Sequence, residues 1–187
     1  MKEGFLFTRA PQLTPAPVLD NDARRLEALH GLLILDTPPE QRFDRITAFA
    51  AEEFEVPIAL VSLVDRERQW FKSRVGLEVC ETGRDISFCG HAIHGNGIMV
   101  VHDARADARF HDNPLVLGPP HVRFYAGAPL VLSGGEAIGT LCLIDRVPRQ
   151  FDIVDVGILG TLRDLTVAEL DWHKRMVLAR QTPDAAR

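Results

Sequence analysis

The run of apolar residues from Ile58 to Val64 constrains the fold of this chain more than any other feature. It reads Ile-Ala-Leu-Val-Ser-Leu-Val, with Ser62 as its one polar member. A strand that is apolar on both sides of its backbone must be covered on both faces of its sheet. The run therefore predicts a central strand with protein packed above and below the sheet.

Further strands are predicted on either side of this run in hairpin arrangements. After the polar turn at 65–68, residues 69–75 alternate imperfectly and are expected to return as a hairpin partner. Residues 98–101 predict a short strand, and segments 124–131 and 137–144 flank Ser133-Gly134-Gly135, which is typical of a hairpin turn. Residues 87–93, before 98–101, predict a short helix capped by Asp85 or Ser87, and 104–120 predicts an irregular loop with short helical pieces. Adjacent hairpins imply an antiparallel sheet.

Helical patterns occupy both ends of the chain. Asp20-Asn21-Asp22 resembles an N-cap cluster before a helix over 22–35, and Thr37 is expected to cap a second helix over 39–54. A long helix is predicted over about 150–178. Its core-facing stripe is expected at Phe151, Val154, Ile158, Leu162, Leu165, Ala168, Trp172 and Met176. The chain is thus expected to be of the α/β (α+β) class, with the terminal helices together on one face of the sheet.

A neighbouring face of the last helix also carries apolar residues, which makes the stripe wider than one sheet face needs. We therefore predict a homodimer interface on the face formed by Leu159, Thr166, Leu170, His173 and Val177.

The composition restricts the domain organisation and the possible partners. Residues 1–19, which include Pro11, Pro15 and Pro17, are predicted to be an extended arm, 20–178 one domain, and 179–187 a flexible tail. The net charge is −5 and no basic block occurs, so no nucleic-acid partner is expected. Neither an export signal nor an apolar run of about 18 residues is visible, which argues against a membrane span. The 3 cysteines are an odd number and predict reduced thiols in a cytoplasmic protein.

Several local strings resemble the GAF domain of bacterial histidine kinases and diguanylate cyclases. Together they extend over roughly residues 22–175, and they lie at 58–65, 69–73, 85–93, 101–104, 107–110, 113–114, 123–130 and 138–145. The resemblance implies a central antiparallel sheet with a pocket on the face opposite the terminal helices. The helix at 85–95 and the loop at 103–121 would roof that pocket. It also implies a small-molecule-sensing and dimerising signalling module that acts on a separate signalling protein, with a ligand or cofactor that stays unknown.

The candidate ligand-binding residues all lie in or beside the expected roof. An arginine beside aromatic rings suits a small anion or a planar ring. The alternative roles are structural: Asp85 and Ser87 as helix caps, and Arg123 as the partner of Asp103. The predicted site comprises Asp85, Ser87, Phe88, Cys89, His91, Asp103, Phe110, Asn113, Arg123 and Tyr125.

A metal, a bilin and a cyclic nucleotide are three alternative occupants of the pocket. A metal site would need four convergent ligands, and Cys89, His91 and His94 do not share one helix face, so no metal is expected. The phytochrome-like members of the family attach a bilin through a pocket cysteine that is typically followed by histidine, and Gly90 follows Cys89 instead. The signature of cyclic-nucleotide-binding members cannot be assembled from this sequence.

Thiol catalysis is the remaining alternative. The chain resembles, more distantly, the free methionine-(R)-sulfoxide reductases, and Cys89-Gly90 matches a Cys-Gly pair of that family. No partner cysteine occurs in 110–125; Cys80 lies in a loop where it could resolve a sulfenate, and Cys142 is expected in the core. Because no catalytic constellation is complete, we expect a non-enzymatic sensor. A reductase and a purely structural dimerisation module remain the alternatives.

Overall fold

The protein, represented by a computed structural model, is described over residues 13–95 and 97–181. The first part of the predicted arm, 1–12, and the end of the predicted tail, 182–187, lie outside the described residues. The helices are α1 Asp22–His30, α2 Gln41–Glu53, α3 Phe88–Ala92, α4 Pro114–Leu117 and α5 Ile153–Gln181. The strands are β1 Ile58–Val64, β2 Arg68–Val75, β3 Glu81–Gly83, β4 Met99–Val101, β5 Phe124–Val131 and β6 Ala137–Asp145.

The strands form one antiparallel sheet in the order β3-β2-β1-β6-β5-β4. Strand β1 pairs with β2 on one side and with β6 on the other, and every one of its residues is buried. This confirms the predicted fold class and the central position of the apolar run. Strand β3 was not predicted, because its three residues carry no apolar alternation.

The alternation of side chains divides the core into two layers, one on each face of the sheet. Ala59, Val61 and Leu63 point to a cluster shared with α2 and α5, whereas Ile58 and Leu60 point to a second cluster shared with α3. Two packed faces are what a continuous apolar strand requires. The terminal helices α2 and α5 therefore cover one face, and α3 with the loops around α4 covers the other.

The N-terminal helices differ from the sequence prediction in their ends. Helix α1 ends at His30 rather than near 35, because Leu33 adopts a φ of 51° that leaves the helical region. Thr37 does not cap α2, which begins at Gln41. Its hydroxyl instead donates to the carbonyl oxygen of Ile34 and accepts a hydrogen bond from the ammonium of Lys72.

The two predicted faces of α5 are largely exchanged in the structure. Leu159, Thr166 and Leu170 are fully buried, although they were assigned to the dimer interface. Most of the predicted core stripe is at the surface: Val154, Leu165, Ala168, Trp172 and Met176 are exposed. The prediction was wrong because α5 is apolar on two sides, and the period of a helix cannot tell which side meets the sheet.

Candidate functional site: a cavity between the sheet and helix α3

A cavity of about 430 Å³ lies between the sheet and α3, on the face opposite the terminal helices. Its floor is formed by sheet side chains and its roof by α3 and the loop around α4. Most of its wall is apolar; the walls include Leu60, Phe71, Phe88, Leu115, Val122 and Ile144. Polar groups at the wall come from Gln69, Thr82 and Tyr125, and Glu78 and Arg146 are exposed at its edge.

The roof is tied to the sheet by a chain of buried hydrogen bonds. Ser87 caps α3 by accepting a hydrogen bond from the Gly90 amide at 2.9 Å. The same hydroxyl donates to Oε1 of Gln69 at 2.5 Å, and Nε2 of Gln69 donates to Thr82 at 2.6 Å. A residue of β2 thus connects the helix cap to β3, which fixes one wall of the cavity.

The described part of the N-terminal arm closes the roof from outside. The Ala16 amide donates to the carbonyl oxygen of Asp85, and the ring nitrogens of His91 and His94 donate to carbonyl oxygens of the arm. Ala16 is buried and lies so close to Gly90 that a Cβ there would approach the Ala16 Cβ to 2.6 Å. Gly90 is therefore required for the arm to pack on α3.

Aromatic rings support the inner side of the roof. Phe88 stacks on Phe110 with ring centroids 4.0 Å apart, and it meets Tyr125 at 5.2 Å. The ring of His91 contacts the edge of Phe110. Stacked aromatic pairs contribute about 0.5–1.5 kcal/mol beyond their burial. Phe110 is thus a packing residue behind the roof, and Phe88 is the ring that faces the cavity.

Two thiols meet beside the cavity, one at its wall and one behind it. The Sγ atoms of Cys89 in α3 and Cys142 in β6 are 3.8 Å apart, and both side chains are buried. The Tyr125 hydroxyl donates to the Cys89 sulfur at 3.4 Å. Gly127 makes this possible, because a Cβ at that position would lie 2.2 Å from the Tyr125 hydroxyl oxygen.

The two thiols differ in their tendency to ionise. Burial by itself raises the pKa of Cys89, but hydrogen bonds from Cys142 and Tyr125, together with the nearby Thr140 hydroxyl, outweigh it and lower that pKa below its ordinary value. The hydrogen bond to Cys89, together with burial, raises the pKa of Cys142. The surroundings thus favour a thiolate at Cys89 over one at Cys142.

Of the predicted site residues, the structure brings Phe88, Cys89 and Tyr125 to the cavity wall. Ser87 lies one hydrogen bond behind the wall, through Gln69. The ligand-binding role of all the predicted residues stays a prediction. The remaining ones lie away from the cavity wall: Asp85, His91, Asp103, Phe110, Asn113 and Arg123.

Several of these outlying residues have structural partners. Arg123 forms an ion pair with Asp103 at 2.8 Å, as the structural alternative supposed. The side chain of Asn113 caps α4 through the Leu115 amide and donates to the carbonyl oxygen of Ile86. These contacts hold the roof loop in place, so both groups already have a role without a ligand.

The sequence analysis missed most of the cavity wall. Leu60, Phe71 and Ile144 could have been found, since they occupy the face of the sheet on which Cys142 also lies. The segment 77–79 and the Pro119-Pro120 pair could not, because loops carry no periodic pattern that tells which side chains turn inward.

The described residues were also compared with what a metal site and a membrane-spanning helix require. Within 13–95 and 97–181, no three side chains of His, Cys, Asp or Glu converge as metal ligands would. In the same part of the chain, no helix combines the length and the apolarity needed to cross a bilayer.

The family model of the GAF domain matches residues 38–170, which include the sheet, the roof and the cavity. The chain belongs to the GAF domain family.

One relative and two solved structures are similar to the chain. A cyclic di-GMP phosphodiesterase of Pseudomonas aeruginosa is 42% identical over 164 residues; the match covers 88% of this chain and 26% of that protein. The chain thus corresponds to about a quarter of that relative. The GAF domain of an Acinetobacter phosphoenolpyruvate-protein phosphotransferase has a TM-score of 0.57 at 17% identity, covering 83% of this chain and 96% of that one.

The second solved structure is a free methionine-R-sulfoxide reductase of Neisseria meningitidis in complex with its substrate. Its TM-score is 0.59 at 21% identity, and the match covers 89% of this chain and 98% of that one. At these identities the two solved structures show a shared fold.

Proposed function

We propose that the chain is a cytoplasmic sensor module that binds a small molecule in the cavity beneath α3 and has no catalytic activity of its own. The observation that carries this proposal is the cavity itself: about 430 Å³, largely apolar, and bounded by a sheet and a short helix. Ligand pockets in proteins are of this size and character. Membership of the GAF family, whose relatives include signalling proteins, supports it.

The wall chemistry favours a compact, uncharged molecule with a planar or branched apolar body. Leu60, Phe71 and Phe88 offer apolar contact on both sides of the cavity. The amide of Gln69 and the hydroxyl of Thr82 offer hydrogen bonds at one wall. A charged group would be accommodated at the edge, beside Arg146, rather than within the cavity.

The proposed output is regulation of a signalling protein through α2 and α5, the terminal helices on the face opposite the cavity. The named activity of the Pseudomonas aeruginosa relative, cyclic di-GMP phosphodiesterase, suggests an output in cyclic-dinucleotide turnover. A homodimer through α5 is part of the proposal. The proposed interface is the exposed stripe of α5, formed by Val154, Leu165, Trp172 and Met176.

The first experiment is native mass spectrometry of the purified protein, together with an absorption spectrum. A retained small molecule would identify the occupant. If none is retained, the fluorescence of 8-anilinonaphthalene-1-sulfonate, an apolar ring probe with one anionic group, measures occupancy of the cavity.

A matched pair of substitutions in α4 makes this experiment specific. Leu115 lines the cavity, whereas Leu117 in the same helix is exposed and does not. We expect Leu115→Trp to fill the cavity and weaken binding of the retained molecule or the probe at least tenfold. We expect Leu117→Trp to leave it unchanged. Equal binding by both variants would contradict the proposal and favour a purely structural module.

A thiol-dependent reductase acting on free methionine sulfoxide is the second candidate. It is favoured by one observation, the presence of Cys89 at the cavity wall with Cys142 behind it. Turnover of free methionine-(R)-sulfoxide with a dithiol reductant tests it. Activity in the wild-type protein that is lost in Cys89→Ser would support a reductase, and no turnover in the wild-type protein would rule it out.

A further inference from the structure

We infer that Cys89 and Cys142 form a peroxide-reactive dithiol, in which a hydroperoxide that enters the cavity is reduced and the two cysteines become a disulfide. The disulfide would join the roof helix α3 to the central strand β6. This inference concerns the thiols alone and does not rest on the ligand proposed above.

The positions of the two sulfurs carry the inference. They are 3.8 Å apart, which is van der Waals contact, and they belong to residues 53 positions apart in the chain. A disulfide has an S–S bond of about 2.05 Å, so the sulfurs must approach each other by about 1.8 Å. Cys142 is held in the sheet by pairing with Leu60 and Gly127, whereas α3 is only 5 residues long. The approach is therefore a small movement of α3 towards the sheet.

The cavity gives the two thiols different roles. Cys89 lies at the cavity wall, and Cys142 is fully buried behind it. A peroxide in the cavity thus meets Cys89 first. Cys89 is also the thiol whose pKa is lowered, and the thiolate is the nucleophile in such reactions.

Hydroxyl groups surround the reacting sulfur. The Tyr125 hydroxyl donates to Cys89 at 3.4 Å. Thr140 lies on the same side of β6 as Cys142, and its buried hydroxyl oxygen makes no hydrogen bond of normal geometry within the described residues. These donors can stabilise negative charge as it moves from sulfur to the leaving oxygen.

The chemistry balances in two steps. In the first, the Cys89 thiolate attacks the hydroxyl oxygen of the hydroperoxide: an S–O bond forms, the O–O bond breaks, and the other oxygen leaves as water or an alcohol after taking the proton that the Cys89 thiol released. In the second, the Cys142 thiol attacks the resulting sulfenic acid: the S–S bond forms, the S–O bond breaks, and water leaves with the thiol proton. Two thiols are oxidised and one peroxide is reduced.

The third cysteine provides the control for a direct test. Cys80 is exposed and lies outside the cavity wall. The unfolded Cys80→Ser variant has two thiols that react with an alkylating reagent. After treatment of the folded variant with hydrogen peroxide, neither thiol is expected to react. The intact mass should fall by two hydrogens, and a peptide map should contain a peptide pair joined through Cys89 and Cys142. Reduction with dithiothreitol should restore both thiols.

Two double variants identify the attacking thiol. In Cys80→Ser combined with Cys142→Ser, Cys89 should stop at the sulfenic acid and be labelled by dimedone. Cys80→Ser combined with Cys89→Ser should not be labelled by dimedone. The result that would overturn the inference is a Cys80→Ser protein that keeps both thiols alkylatable at a peroxide dose that oxidises Cys80 in the wild-type chain. That test requires no variant in the core.

Discussion

At the scale of single residues, Asp22 shows how one carboxylate joins distant parts of the chain. It accepts hydrogen bonds from Arg25 at 2.8 Å and from both terminal nitrogens of Arg84 at 2.9 Å. Arg25 is fully buried and also donates to the carbonyl oxygen of Val64. Removal of one partner from such a buried network leaves uncompensated charge, which is more costly than the network itself is stabilising.

The pH dependence of stability follows from this network. Burial raises the pKa of Asp22, but the hydrogen bonds from Arg84 and Arg25 outweigh it and lower that pKa to about 2. Because the folded pKa is below the unfolded one, the contribution is complete above about pH 5 and is lost as the pH falls towards about 2. We expect Asp22→Asn to lower the free energy of unfolding at pH 7 by about 2–3 kcal/mol and to flatten its decline between these limits.

Urea titrations from pH 2 to pH 7 measure this effect. The exposed neighbour Asp20 gives the matched control, since Asp20→Asn changes the same charge without touching the arginines. If the free energy of unfolding of Asp22→Asn declined with falling pH as steeply as that of the wild-type protein, the lowered pKa of Asp22 would be contradicted.

The same network shows what the sequence could predict at this scale. The Asp20-Asn21-Asp22 cluster was interpreted as a helix cap, and α1 does begin at Asp22, but Asn21 makes no side-chain capping bond. The actual role of Asp22 depends on Arg84, which lies 62 positions away. Local pattern carries no information about such a partner.

At the scale of elements, the contact between β1 and β6 depends on Gly139. Gly139 lies opposite Leu63, and a Cβ there would be 2.0 Å from the carbonyl oxygen of Ser62. Backbone atoms of a central strand cannot move aside cheaply.

We therefore expect Gly139→Ala to destabilise the protein by about 2 kcal/mol or more, as overpacked cores do. Gly157 in α5 gives the opposite control: nothing lies within 4 Å of its added Cβ, and Gly157→Ala should stabilise the helix by about 0.5–1 kcal/mol. Thermal or urea unfolding of the two variants distinguishes them. Equal effects would mean that the strands separate more easily than their packing indicates.

The elements themselves were the most predictable part of the protein. The run Ile58–Val64 predicted a strand buried on both faces, and the structure confirms it. The turn at Ser133-Gly134-Gly135 predicted the hairpin of β5 and β6, which is also confirmed. The faces of α5 were not predictable, because Leu159 and Leu165 both fit an amphipathic pattern and only the sheet decides which one is buried.

At the scale of the whole molecule, the exposed stripe of α5 is the surface on which the proposed dimer depends. Val154, Leu165, Trp172 and Met176 follow one another at spacings that place them within about 40° on the helix. Trp172 also stacks against the guanidinium of Arg42, 4.5 Å from its ring centroid. The stripe is apolar and exposed, and it reaches α2 through the contact of Trp172 with Arg42.

We expect the wild-type chain to sediment as a dimer and Leu165→Glu to weaken dimerisation at least tenfold, because a carboxylate would be buried in the interface without a partner. Lys174→Glu, at an exposed position outside the stripe, should remain dimeric. Sedimentation velocity gives the assembly state, and circular dichroism checks that both variants fold. A monomeric wild-type protein would contradict the proposed interface.

The sequence by itself determined the class of fold, the order of all its strands but β3, and the family, because these depend on periodicity and local turn chemistry that neighbouring residues carry. It also pointed to Phe88, Cys89 and Tyr125, which do meet at the cavity. Only the tertiary structure decided that Cys142 lies against Cys89, that Arg123 pairs with Asp103, and which side of α5 is buried. The physical reason is the same in each case: these contacts join residues far apart in the chain, and their partners are chosen by packing across the sheet.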